Sequence, residues 1–167
     1  MSARHAPAPH RDPTWVPVTP FPGLGHRRSF ISGDPDGHRL RVAYFEKPGS
    51  THLFAKAWFG PGAEGPPGAA HGGAVMGVLD EVMGAACWHH ELPVVLARLT
   101  TNVRHTIPLG TDTTCEGWIA QVDGRKVTTH ARMYDDAHHV LADAEGLFVI
   151  LKPEQLEAFA EHRQTKT

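Results

Sequence analysis

Asp80 follows Gly73 by seven residues in the run His71-Gly72-Gly73-Ala74-Val75-Met76-Gly77-Val78-Leu79-Asp80, and this is the spacing in the chain that most invites chemistry. A carboxylate flanked by Leu79, Val82 and Met83 is expensive to desolvate unless it is hydrogen-bonded or faces a wet cavity, and such acids are disproportionately catalytic. The alternative is an exposed acid beside Glu81. Gly72 and Gly73 can present unobstructed backbone N–H groups at the positive end of a helix dipole, where a carbonyl oxygen that becomes negative would be stabilised. His71 either caps that helix or contacts the substrate.

These groups need a helix to hold them. At about 100° per residue, Gly73, Gly77, Asp80, Gly84 and Cys87 share one narrow stripe, with Val75, Leu79, Val82 and Ala86 roughly opposite and Met76 and Met83 extending that bulky side. Each interior glycine costs roughly 1 kcal/mol relative to alanine. Gly77 and Gly84 therefore either ease packing within the fold or admit a ligand or a second backbone. Seven residues of helix between Gly73 and Asp80 span about 10 Å, too far for one reacting group to touch both. If both act together, two antiparallel helices of a symmetric dimer supply them, one residue from each subunit.

Around the helix the chain reads as strands. Runs at 40–45 and 53–59 flank Lys47-Pro48-Gly49-Ser50 and predict a hairpin. The Gly/Pro-rich stretch 60–68 breaks regular structure and delivers the chain to His71, where it could border the site. Strand-like runs at 94–107, 113–122, 126–134 and 139–151 follow, with Asp123-Gly124 as a two-residue turn signal and Asp135-Asp136-Ala137 at the next turn. The pattern is α+β, a six-stranded antiparallel sheet wrapped on one central helix. Residues 38–152 form this domain, and Pro153 opens a short helix in the tail 153–167. Residues 1–37 hold seven of the fourteen prolines and read as an extended arm, whose Trp15, Val16, Val18, Phe21, Leu24, Phe30 and Ile31 are expected to lie across the domain or a partner subunit.

Composition narrows the classes. With 167 residues, 41% hydrophobic and 20% charged, the chain is of ordinary globular type and fits one domain. A net charge of −2 supplies no field for nucleic acid or anionic membrane. Neither a secretory leader nor a spanning segment is read, and a cytoplasmic location is expected. Cys87 and Cys115 lack ligand spacing, and the adjacent pairs His89-His90 and His138-His139 diverge on any regular element, so no metal site is expected. Cys87 has no base at a spacing that would activate it.

The segment from His71 to Gly84 resembles the H-G-G-x(6)-D-x(3)-G signature of hotdog-fold acyl-CoA thioesterases, of the phenylacetate-pathway type and the related mammalian thioesterase superfamily members. Leu99-Thr100-Thr101-Asn102-Val103-Arg104-His105-Thr106-Ile107-Pro108-Leu109 is similar to that family's third strand, and Val122-Asp123-Gly124-Arg125-Lys126 to its hairpin. The likeness covers about residues 40–152. It implies a hotdog fold, hydrolysis of an acyl-CoA thioester, a Gly72 or Gly73 amide that polarises the carbonyl, and Asp80 of the other subunit as nucleophile or as base for water. It implies a homodimer, extending to a dimer of dimers, with Gly77, Glu81 and Thr100 along the substrate and no cofactor beyond the coenzyme A of the substrate itself. Relatives carry threonine or serine on the third strand to hold water. Aligning on Asn102 and Pro108 puts Leu96 or Arg98 there, so the hydroxyl comes from Thr100 or is absent. Arg125 and Lys126, with Arg104, are the expected receivers of the phosphates. The competing readings are a hotdog hydratase or dehydratase and a non-catalytic acyl-CoA-binding module.

Overall fold

The computed structural model describes residues 6–21 and 29–164. Residues 40–59 form the expected hairpin of β2 (Leu40–Glu46) and β3 (Leu53–Phe59), turned by Gly49 at φ +79°. After a 3-10 turn at Pro61–Ala63 comes the single long helix α1 (Gly72–His89), then β4 (Val94–Val103), β5 (Asp112–Asp123), β6 (Lys126–Tyr134), β7 (Val140–Ile150) and the terminal helix α2 (Pro153–Gln164). The β5–β6 loop is Gly124-Arg125, one residue later than the Asp123-Gly124 signal suggests, because Asp123 still pairs with Lys126.

The sheet has seven strands, not six, in the order β1-β2-β3-β5-β6-β7-β4, and every neighbouring pair is antiparallel. The seventh is β1 (Val16–Val18), in the stretch expected to be an extended arm. Proline cannot donate to a ladder, and Pro17 is accommodated because β1 is an edge strand. The start of the arm folds onto the face of the sheet away from α1. There the Arg41 guanidinium, paired to Asp112 at 2.6 Å, also donates to the Pro7 carbonyl, and the His10 N–H reaches Asp112 at 3.2 Å. Leu24 lies outside the described residues.

Along α1, Val75, Val78, Leu79, Val82 and Met83 are all but fully buried against the sheet. The bare stripe behaves differently in its two halves. Gly84 and Cys87 are buried inside the domain, with the Phe148 ring 3.5 Å from where a Gly84 side chain would begin. Gly77 meets Ile31 of the arm, whose Cδ1 lies 2.6 Å from the position a Cβ would take. Packing within the fold therefore accounts for both glycines. Met76, expected on the buried side, is instead 40% exposed, because only the second half of the helix is covered all round.

Strand β4 is the other edge of the sheet and carries a bulge that decides its facing. Leu96 pairs with Phe148 and Arg98 with Leu147, so Ala97 is the extra residue and the alternation reverses there. Beyond it Leu99, Thr101 and Val103 pair with the inward residues Gly146, Ala144 and Ala142, whereas Thr100 and Asn102 pair with Glu145 and Asp143 on the opposite face.

Candidate active site

The site begins at the N-terminus of α1. His71 is the N-cap, and its Nδ1 accepts the Gly73 N–H at 2.9 Å, while its carbonyl accepts Ala74 and Val75 at 2.9 and 3.2 Å. The Gly72 N–H has no acceptor among the described residues. Of the two amides expected to polarise a carbonyl, Gly72 is thus the one free to do so, and Gly73 is occupied by the histidine. A cavity of about 380 Å³ adjoins this end of the helix, with Phe30, Leu40, Ala63, His71, Gly73 and Ala74 among its walls. Gly62, Ala63 and Glu64 of the stretch 60–68 border this cavity, and the stretch is held by the bridges Glu64 to Ala70 and Ala69 to Pro108.

Asp80 lies two turns further on, half-buried, and no group among the described residues donates to its carboxylate. Burial, and secondarily the charge of Glu81, pushes its pKa up to about 6. A carboxylate with that pKa is ionised near neutral pH yet basic enough to accept a proton.

Glu81 points elsewhere. Its Oε1 receives the hydroxyls of Ser29, Ser32 and Tyr44 at 3.2, 2.8 and 3.1 Å, so the residue expected along the substrate is engaged by the arm and β2. Burial, followed by the Glu81 charge, holds the Tyr44 phenol far above its ordinary pKa, which keeps it a donor. Gly77 is likewise covered, by Ile31.

Four further expected residues do not join this group. Thr100 and Arg104 line a trough on the sheet face away from α1, and Arg104 is ion-paired to Asp143. Arg125 and Lys126 sit at the opposite pole of the subunit. The Arg125 carbonyl accepts the Ile150 N–H, and Ile150 pairs with Val94 beside Trp88 at the end of α1. From Val94 to Val103 alone is about 30 Å of strand. The Arg125 side chain donates to the Ile150 carbonyl at 3.0 Å.

Thr101 is the residue the sequence reading passed over. Its Oγ1 is buried without a hydrogen-bond partner among the described residues. Its height relative to α1 follows from the register. Strand β4 runs opposite to α1, with Val94 at Trp88 and Ile107 at Ala70. Leu99 pairs with Gly146, whose Cβ would stand 3.1 Å from Met83 Cε. Two residues further along β4, about 7 Å, corresponds to about four residues back along α1, level with Leu79 and Asp80. Only the bulge at Ala97 turns Thr101 rather than Thr100 inward, and the sequence carries no plain sign of it. Cys87 stays outside the chemistry, since burial pushes its thiol up to about 12.

Comparisons with known proteins agree with this architecture. The family model of the thioesterase superfamily matches residues 67–142. The acyl-coenzyme A thioesterase THEM4 of Xenopus laevis is 31% identical over 122 residues, covering 72% of this chain and 54% of that protein. The chain spans about half the length of the curated relatives it matches. The crystal structure of a thioesterase superfamily protein superposes with a TM-score of 0.66 at 28% identity, covering 87% of this chain and 70% of that one. A Streptococcus mutans UA159 protein, solved bound to acetyl CoA, shares the fold at a TM-score of 0.58 and 15% identity, over 61% of this chain and 82% of that one. Residues 67–142 thus match the thioesterase superfamily, and the fold that holds them is the hotdog fold of its solved members.

Proposed function

We propose that the chain is an acyl-CoA thioesterase that works as a homodimer. The observation that carries this reading is the half-buried Asp80 carboxylate, without a partner among the described residues, on the same helix as the free Gly72 amide but about 12 Å from it along the axis. The activity of the Xenopus laevis relative and the acetyl CoA held by the Streptococcus mutans protein support the substrate class.

Two antiparallel copies of α1 would bring Gly72 of one subunit to Asp80 of the other. The edge strand β4 supports such a pairing, because its outer backbone groups are unpaired among the described residues and Leu96 and Val103 are 38% and 45% exposed there. The same two-fold arrangement would carry the partner subunit's Arg125 and Lys126 to the end where Gly72 lies, which is where they could meet the phosphates of coenzyme A.

In the reaction, Asp80 takes a proton from water as the water oxygen attacks the thioester carbonyl carbon, and the Gly72 N–H stabilises the oxyanion. Collapse of the tetrahedral species breaks the C–S bond, and the departing thiolate takes the proton from Asp80. The unpartnered Thr101 hydroxyl at the level of Asp80 favours attack by water over direct attack by the carboxylate. The test is release of free thiol from short-chain, medium-chain, long-chain and aryl acyl-CoAs by wild type and Asp80→Asn. Turnover that falls by about 1000-fold or more in the variant supports the reading. Full activity in the variant removes Asp80 from the mechanism, and intact thioester after incubation with stoichiometric wild type leaves an acyl-CoA-binding module.

A further inference from the structure

We propose that residues 29–32 of the arm form the acyl-facing wall of the site, with Phe30 as the residue that sets how large an acyl group is accepted. This inference rests on the thioester-binding reading of the same site.

Three features of the segment point the same way. Its ends are fastened to α1, because the hydroxyls of Ser29 and Ser32 converge with that of Tyr44 on Glu81 Oε1, the residue next to Asp80. Hydroxyl bonds to a carboxylate oxygen are of the strong, charge-assisted kind. Between these fastenings, Ile31 is 6% exposed and rests on Gly77. Gly77 lies midway along the stripe from Gly73 to Asp80, so a substrate laid along that stripe passes against Ile31. Phe30, by contrast, is 76% exposed, and its ring closes one side of the cavity beside Gly73. The Arg39 guanidinium lies 5.8 Å from the ring centroid on one face of it. A large aromatic left open next to Leu40, Ala63 and Ala74, in a cavity of about 380 Å³, is suited to an apolar occupant. The acyl chain is the apolar part of the substrate, and its carbonyl end would lie at the Gly72 amide that opens the same helix. Size selectivity then depends on a side chain in the connection between β1 and β2.

The test is calorimetric binding of ethyl-, octyl- and dodecyl-CoA thioethers, which cannot be hydrolysed, to wild type, Phe30→Ala, Phe30→Trp and the double variant Ser29→Ala/Ser32→Ala. Phe30→Ala is expected to raise the octyl-to-ethyl affinity ratio about tenfold and Phe30→Trp to lower it by a similar factor. The double variant, with the wall unfastened, is expected to shift as Phe30→Ala does. An unchanged ratio in both Phe30 variants, which should fold normally because the ring is exposed, overturns the inference, as does wild type that binds no thioether. Free thiol released from acyl-CoAs by wild type with an unmoved ratio would leave the hydrolase reading standing alone. Binding whose selectivity moves as expected, with no thiol released, would sink the hydrolase reading and leave the wall.

Discussion

The pKa of Asp80, raised to about 6 by burial and then by Glu81, ties its chemistry to stability. If Asp80 is the base, it works only when ionised, and the rate of thiol release should climb through an apparent pKa near 6 and level off above about pH 7. Stability runs the other way. The folded pKa lies above the unfolded value near 3.9, so the group costs nothing at low pH and destabilises progressively as pH rises from about 4 through 6. Asp80→Asn should therefore raise stability at pH 8 by about 1 kcal/mol, a figure reduced for the carboxylate's partial exposure, and leave it unchanged at pH 4. Thermal melts at the two pH values check the sign. Thr101 and Thr100 form a natural control pair. Thr101→Val should lower kcat about tenfold or more with little change in KM, whereas Thr100→Val, on the other face of β4, should stay near wild type. Equal effects of the two would remove Thr101 from the role of holding water.

Among the elements, the first turn of α1 offers the sharpest test, because Gly72 occupies the first helical position after the His71 cap. Proline is well suited to that position, and His71 at φ −64° and ψ 136° already has the extended backbone that precedes a proline. Gly72→Pro thus deletes one N–H while leaving the helix start intact. Melting should change by only a few degrees, and kcat should fall about 100-fold or more if this amide receives the oxyanion. Retained turnover would move the oxyanion to another donor, with the Gly73 amide, freed by rotation of His71, the first to examine. The bulge in β4 is the second element on which the site depends. Its extra residue, Ala97, sets which threonine faces α1, so the edge strand that would meet a partner also orients a side chain of the site.

At the scale of the whole molecule, the proposed dimer makes a prediction that no single-subunit site can imitate. Asp80→Asn and Gly72→Pro should each be inactive alone. Mixed dimers of the two keep one intact site, built from Gly72 of the first variant and Asp80 of the second. Unfolding and refolding the two variants together should therefore restore part of the wild-type rate, read by thiol release after purification of the heterodimer. No recovery in a verified heterodimer would place both groups in one subunit or remove one of them from the mechanism.

What the sequence by itself determined is local. The glycine pair and the acid seven residues on specify a helix N-terminus and a carboxylate on one helix, and the turn residues and alternating strands specify an antiparallel sheet around it. These are written in neighbouring positions, where periodicity and turn chemistry act directly. The strand in the arm was hidden because Val16-Pro17-Val18 is short and carries a proline that only an edge position tolerates. Tertiary structure alone decided the remainder. The occupant of Gly77 is Ile31, 46 positions earlier, and the partners of Glu81 come from the arm and β2. Thr101 rather than Thr100 faces α1 because one extra residue in β4 inverts its facing, and Arg125 lands at the far pole because the β5–β6 hairpin turns beside the end of α1. Each of these depends on which segments meet and in what register, a contact between distant residues that leaves no repeating mark along the chain.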